Sequence, residues 1–178
     1  MAEHNDMQTI VLGGGCFWCV EALYRRIPGV THLESGYAGG EAENPTYQEV
    51  CRGTTGHAEV VRVTFDPQVV SLTQILEFFW QAHDPTTLNR QGADVGTQYR
   101  SIILYLNDEQ RRAAEASRSA AQGGFSDPIV TQIEPLGTFY SAESYHRDYY
   151  EQNPGQGYCR VVIAPKLEKL GFDSAPRR

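Results

Sequence analysis

The chain has 178 residues, enough for one domain that buries about two-thirds of its unfolded surface without disulfide or metal staples. Its 15 Lys and Arg against 22 Asp and Glu give a net charge of -7, which argues against a nucleic-acid footprint. No apolar run approaches the roughly 20 residues of a membrane span, and the polar start Met1-Ala2-Glu3-His4-Asn5-Asp6-Met7 lacks the basic and apolar regions of a secretory signal, so a cytoplasmic setting is expected.

The first apolar run, Thr9-Ile10-Val11-Leu12, predicts a strand, and Gly13-Gly14-Gly15 a tight turn. Val20, Leu23, Tyr24 and Ile27 then fall at i, i+3, i+4 and i+7, one face of a helix. Lacking a Cβ, the glycines let the backbone turn sharply and approach a ligand closely. Cys16 is thereby expected at or just before a helix N-terminus. Unpaired N–H groups and the helix dipole there should lower its pKa from the free value of about 8.5 and make it a nucleophile. Phe17 and Trp18 are large aromatics beside it, and Cys19 lies one helical turn on. Two plainer readings stand next to this one: a buried cysteine acting as a small hydrophobe, and half of a zinc site. Against zinc, Cys51 and Cys159 stand alone, neither with a histidine at ligand spacing. Four cysteines in a reducing compartment suit catalytic or inert thiols better than a disulfide framework.

Pro28-Gly29 ends the helix, and 30–37 predicts a strand closed by Ala38-Gly39-Gly40. After a polar loop, 45–51 predicts a short helix with proline in its first turn. On pattern alone its Tyr47 is a packed aromatic and Cys51 is structural. Residues 57–65 alternate, with His57, Glu59, Val61, Val63 and Phe65 on one face and Ala58, Val60, Arg62 and Thr64 on the other. Glu59 shares its face with three large apolar side chains, where a charged carboxylate is costly. It is therefore paired, set at the solvated end of the strand, or protonated and able to donate a hydrogen bond. Ser71-Leu72-Thr73-Gln74 has the form of a capping box opening an amphipathic helix that ends near Ala82-His83. The polar connection 84–98 is long for a compact domain, which marks it as functional, and it delivers Tyr99 to a strand at 99–106. A solvated helix at 107–122 stops at Gly123-Gly124. A strand at 129–134, a helix at 141–152, a flexible glycine-rich arm at 153–159 and a basic end at 164–178, a docked helix plus a tail, complete the reading.

A nucleophilic thiol flanked by aromatics, a neutral acid and tyrosine hydroxyls suits an electrophile whose oxygen gains negative charge as its bond breaks. A sulfoxide fits that set: its sulfur is attacked, its oxygen is protonated to leave, and its methyl group wants an apolar wall. A general thiol-disulfide oxidoreductase and a binding module for methionine-containing peptides are the competing readings. The first leaves Glu59, Tyr47 and Tyr99 without a task; the second would survive loss of the Cys16 thiol.

Gly14, Cys16-Phe17-Trp18, Thr55-Gly56-His57-Ala58-Glu59, His83-Asp84-Pro85, Gln91-Gly92-Ala93-Asp94-Val95-Gly96-Thr97-Gln98-Tyr99-Arg100-Ser101 and Gly157-Tyr158-Cys159 together resemble the peptide methionine sulfoxide reductase A family over 10–169. The resemblance implies a single α+β domain over 1–178. Its architecture is a two-layer sandwich, a mixed β-sheet flanked by helices around a ferredoxin-like core, with long loops and a coiled C-terminal arm. The reductase core is expected at about 8–169, with flexible tails at 1–7 and 170–178. The implied activity is reduction of the S epimer of methionine sulfoxide, free or within proteins. Position by position, Cys16 matches the nucleophile, and Phe17 and Trp18, with Gly15, the pocket for the substrate methyl. Glu59 matches the acid that protonates the sulfoxide oxygen, Tyr47 and Tyr99 its hydrogen-bond donors, and Asp94 the carboxylate that organises the site and its water. Attack by Cys16 releases methionine and leaves a sulfenic acid. The commoner motif has glycine where Cys19 stands, and some members carry two late cysteines where only Cys159 is present. Cys19 resembles a subgroup in which that residue forms the disulfide with Cys16 and is the favoured resolver; Cys159 is the second candidate, as resolver or relay. No metal and no bound cofactor is implied. The partners are oxidised proteins and a thioredoxin that reduces the disulfide by exchange, with no nucleic acid and no membrane.

Overall fold

The computed structural model describes residues 6–177. Its strands are β1 (Gln8–Gly13), β2 (Val30–Ala38), β3 (Ala58–Phe65), β4 (Arg90–Gln91), β5 (Asp94–Val95), β6 (Ile102–Tyr105), β7 (Gln132–Pro135) and β8 (Tyr140–Ser141). Six of them form one sheet in the order β7-β6-β1-β3-β2-β8, while β4 and β5 make a small separate hairpin. All pairings in the large sheet are antiparallel except β6 with β7, so the sheet is mixed. β1 lies between β3 and β6, and its unbroken apolar run follows from that place: Ile10, Val11 and Leu12 are all wholly buried.

The alternation in β3 divides the core. Val61, Val63 and Phe65 join Ile10 and Leu12 under the helices, whereas Ala58 and Val60 join Val11, Ile102 and Leu104 on the opposite face beneath Leu136 and Phe139. The helices are α1 (Phe17–Arg25), α2 (Tyr47–Cys51), α3 (Leu72–Ala82), α4 (Asp108–Gln122), α5 (Tyr149–Gln152) and α6 (Ala164–Lys169). Val20 and Leu23 of α1, Ile75, Leu76 and Phe79 of α3, and Leu167 of α6 enter the larger cluster, giving a mixed α+β single domain with its helices flanking the sheet. The capping box expected at Ser71 is present, with Gln74 N–H donating to the Ser71 hydroxyl at 3.1 Å and the Gln74 side chain accepting from Ser71 N–H at 2.9 Å. Such a cap contributes about 1 kcal/mol.

Several boundaries differ from expectation, some through local caps and turns and others through hydrogen bonds to distant residues. The helix expected at 45–51 starts at Tyr47, because Thr46 and Glu49 form a second capping box and Pro45 falls outside it. The strand expected from Tyr99 begins at Ile102, since Thr97–Tyr99 closes a 3₁₀ turn. The strand expected at 129–134 is Gln132–Pro135. The helix expected at 141–152 is broken: Ser141 pairs with β2, Ser144–His146 forms one 3₁₀ turn, and Asp148 adopts a left-handed φ of 52°. Asp148 is held there by its N–H to Glu21 (3.1 Å) and by its ion pair with Arg25. The expected flexible arm is helical from Gly157, with a π-helical stretch over Cys159–Ile163, and Cys159 is wholly buried. Residues 170–177, expected as part of a flexible tail, lie on the body. The buried Arg26 guanidinium donates to the Asp173 and Ala175 carbonyls, each at 2.8 Å, and bridges Glu151 at 2.9 Å. Most of the expected N-terminal tail lies outside the described residues.

Candidate active site

The turn between β1 and α1 is shaped by close approach. Gly15 has φ 91°, and a Cβ there would stand 2.8 Å from the Gln91 side chain. A Cβ on Gly14 would stand 2.9 Å from the His83 ring. That ring is fixed: Nδ1 donates to the Phe79 carbonyl at 2.8 Å, and Nε2 accepts from Ser101 Oγ at 2.7 Å, a tautomer assigned from these partners. Burial pushes the His83 pKa down to about 4, so a neutral imidazole backs the turn.

Cys16 is the N-cap of α1, in extended conformation, and its carbonyl accepts from Cys19 N–H at 3.1 Å. The expectation of a lowered pKa is overturned. Burial first, then the charges of Glu59, Cys19 and Asp94, push the thiol well above the ordinary cysteine range, outweighing the Trp18 N–H that favours the thiolate. The helix end supplies a donor, but desolvation and carboxylates are stronger. Cys16 rests as a thiol.

Glu59, near the start of β3, is 1% exposed. Its Oε1 accepts from Phe17 N–H at 3.1 Å, and its Oε2 has no hydrogen-bond partner among the described residues. Burial and the Asp94 charge push its pKa up to about 8 against the opposing Phe17 N–H, so it keeps its proton at pH 7. Of the three alternatives open from sequence, the burial of Glu59 and the upward direction of its pKa favour the protonated acid.

Tyr47 and Tyr99 are half-buried, and both phenols have pKa values raised by burial and by the Glu59 charge, with Cys16 adding to each. They stand as neutral O–H donors within the field of the thiol and the acid. The Asp94 carboxylate accepts from the Tyr158 hydroxyl at 2.6 Å and is felt by Cys16, Glu59 and Tyr99. The sequence-predicted residues thus converge, carried by four separate elements: the β1–α1 turn, α2, β3 and the loop holding β5.

The two aromatics divide their work. Phe17 is wholly buried, its ring 5.7 Å from Tyr37, 6.4 Å from Tyr47 and 5.0 Å from His146, so it forms the back of the wall. Trp18 is half-buried and stacks on Tyr149 at 3.8 Å, while its Nε1 donates to His146 Nδ1 at 2.9 Å. Glu143 ties this wall to α2, accepting from the Tyr37 hydroxyl and Tyr47 N–H, both at 2.8 Å.

Tyr158, His146, Tyr149, Glu143 and His83 thus belong to the site although sequence reasoning did not assign them to it. The only signal for most was the density of Tyr, His and acids in 141–152. Cys51, read as structural, is exposed, and its thiol is influenced by the Tyr47 side chain. Among the described residues all four cysteines are free, and no cluster of three His, Cys, Asp or Glu could hold a metal. Cys19 is 5% exposed and Cys159 0%. Cys159 senses Cys19, and burial pushes its pKa up to about 11.

The arrangement can deliver a proton to an oxygen while a sulfur nucleophile approaches the atom bearing it, with an apolar wall alongside. Comparison with known proteins agrees. The family model described as peptide methionine sulfoxide reductase matches residues 8–176. The peptide methionine sulfoxide reductase MsrA of Leptospira borgpetersenii is 58% identical over 163 residues, 92% of this chain and 93% of that protein. The crystal structure of Mxr1 from Saccharomyces cerevisiae in reduced form aligns with TM-score 0.82 at 38% identity, covering 89% of this chain and 91% of the other. Mxr1 in complex with Trx2 aligns with TM-score 0.60 at 27% identity, covering 83% and 88%. A match spanning nearly the whole chain, joined to a thiol, a buried acid and phenols gathered at one turn, has one outcome: the chain belongs to the peptide methionine sulfoxide reductase family.

Proposed function

We infer that the chain reduces the S epimer of methionine sulfoxide, free and within proteins, through a sulfenic acid on Cys16 and a disulfide recycled by thioredoxin. The observation that carries this reading is Glu59, a carboxyl kept protonated by burial, with one oxygen unpartnered, in the field of the Cys16 thiol. The substrate methyl lies against Trp18 with Phe17 behind it, beside the Gly15 backbone. Glu59 gives its proton to the sulfoxide oxygen as Cys16 attacks, with Tyr47 and Tyr99 donating to the same oxygen. Oxygen passes from the substrate sulfur to Cys16, and the thiol proton restores Glu59. One thiol and one sulfoxide become a sulfenic acid and methionine. Asp94, fixed by Tyr158, orders the water of the site.

Cys19, one turn from Cys16, then attacks the sulfenic sulfur and expels water. Cys159 is the second candidate, as resolver or as relay through exchange with Cys19, and its sensing of Cys19 supports that rank. The yeast Mxr1–Trx2 complex supports a thioredoxin-type reductant, so no bound cofactor is needed. Four free cysteines support a reducing, cytoplasmic setting. The strand order β6-β1-β3-β2, with α1 after β1 and α3 after β3, supports reading the core as ferredoxin-like.

The test is consumption of the two separate epimers of a methyl sulfoxide by the wild type and by Cys16→Ser. Only the S epimer should be consumed, and only by the wild type. Turnover in the serine variant, or reduction of insulin disulfides with no sulfoxide activity, defeats the reading.

A further inference from the structure

Trp18, Glu21 and Arg25 fall at i, i+3 and i+7 on α1 and so share one stripe, which meets the chain between His146 and Tyr149. That segment holds Trp18 twice: the indole Nε1 donates to His146 Nδ1 at 2.9 Å, and the ring lies on Tyr149 at 3.8 Å with 8° between the planes. The two supports belong to different pieces of structure, the 3₁₀ turn Ser144–His146 and the helix α5, and the joint between them is Asp148 at φ 52°. Aspartate tolerates a left-handed φ better than most residues, but its surroundings must fix it there. Glu21 and Arg25 do so. Glu21 Oε1 accepts from Asp148 N–H at 3.1 Å, and Arg25 is ion-paired with the Asp148 carboxylate. Glu21 is 2% exposed, and its Oε2 has no hydrogen-bond partner among the described residues, with Arg25 3.9 Å away. A carboxyl buried this deeply is costly, and the Asp148 N–H is the one donor that answers it among the described residues. Arg26 and Glu151, 2.9 Å apart, anchor α5 beyond this point, so Glu21 governs the joint rather than the docking of the helix.

We propose that Glu21 is a positioning residue for the substrate pocket: its grip on the Asp148 joint lays Tyr149 flat on Trp18 and so holds the indole as a wall for the substrate methyl. The proposal rests on Trp18 being that wall in the reduction proposed above. Glu21 acts through Tyr149 rather than on the sulfoxide itself. A wall that meets the methyl group equally before and during oxygen transfer supplies uniform binding, so losing its support raises the half-saturating sulfoxide concentration and leaves the limiting rate alone. A stacked aromatic pair is worth roughly 2- to 10-fold in binding. An acid or an amide at position 21 serves equally, since either presents an oxygen to Asp148 N–H.

The experiment mixes the reduced full chain with excess methionine S-sulfoxide and no thioredoxin, and follows the single burst of methionine over a range of sulfoxide concentrations to read the limiting rate and half-saturation of the first step. Glu21→Ala should raise half-saturation roughly 2- to 10-fold with a limiting rate within about 2-fold of the wild type. Glu21→Gln should keep the wild-type value. Arg25→Gln, at a side chain 31% exposed, loosens the same joint without leaving a buried hole and should shift half-saturation the same way. In Tyr149→Ala, where the stack is already gone, adding Glu21→Ala should change nothing further. Half-saturation unmoved in both Glu21→Ala and Arg25→Gln, a glutamine variant as impaired as the alanine one, or a second full increment in the Tyr149→Ala background overturns the proposal, while the wild-type burst leaves the proposed reduction standing. No methionine from the wild type overturns that reduction, and the role of Glu21 falls with it.

Discussion

Replacing Glu59 with glutamine should make the protein more stable as pH rises, and less active. The acid has an ordinary pKa of 4.5 and about 8 in the fold. Between those values the native state holds a proton that the unfolded chain has released, so wild-type stability falls with rising pH, by about 1.4 kcal/mol per pH unit. From pH 4.5 to 7 that accumulates to about 3 kcal/mol, and above pH 8 it levels off. Below 4.5 no penalty exists. Glu59→Gln keeps the shape and an oxygen for Phe17 N–H but does not titrate. Its amide brings two unpartnered N–H donors where the acid has one O–H, which adds a pH-independent cost of about 1–3 kcal/mol to the variant and leaves the pH slope untouched. Urea unfolding of both proteins at a series of pH values measures the difference. The variant should gain about 3 kcal/mol on the wild type between pH 4.5 and 7 while its methionine release slows by about 10² or more, the usual contribution of a general acid. Wild-type activity should likewise decline as pH rises through 8. A stability difference that is flat across this range would mean that Glu59 is already ionised in the native protein, and the proton-donor role would be lost.

Gly14→Ala should cost about 1–3 kcal/mol, because its Cβ meets a His83 ring that two hydrogen bonds hold in place. Thermal unfolding checks this, and an unchanged midpoint refutes it. Tyr47→Phe and Tyr99→Phe each remove one neutral donor from the oxygen site, so each should lower kcat/KM about 10-fold through a loss near 1.4 kcal/mol. Stopped assays on the S sulfoxide read both. Wild-type rates in either variant would show that its hydroxyl does not touch the substrate.

What was legible in the sequence was local. The β1–turn–α1 unit, the capping box at Ser71 and the two-faced pattern of β3 each rest on residues within a few positions of one another, and each is present as expected. The Glu59 placement followed from the same alternation, since a carboxyl among Val61, Val63 and Phe65 has few ways to exist. The failures lie where distant chain decides. The helix expected at 141–152 has the right composition, but Glu21, Arg25 and Glu34 capture its polar groups and bend it. His146 meets Trp18 across 128 residues, a contact no periodicity encodes. Cys159 follows a glycine-rich stretch, which suggested mobility, yet its side chain is needed to fill the core beside α1. The Cys16 pKa runs opposite to the helix-end expectation because desolvation and the carboxylates around a half-buried thiol outweigh the one N–H that the helix end offers.

The resting thiol has a chemical consequence. Peroxides attack thiolates far faster than thiols, and overoxidation beyond the sulfenic stage is irreversible for most cysteines. A neutral Cys16 is a slower target than a thiolate for the oxidants that damage methionine, even though the residue is only half-buried. Selectivity against stray oxidant and tolerance of an oxidising surge both follow from the proton this sulfur keeps, not from a barrier to water.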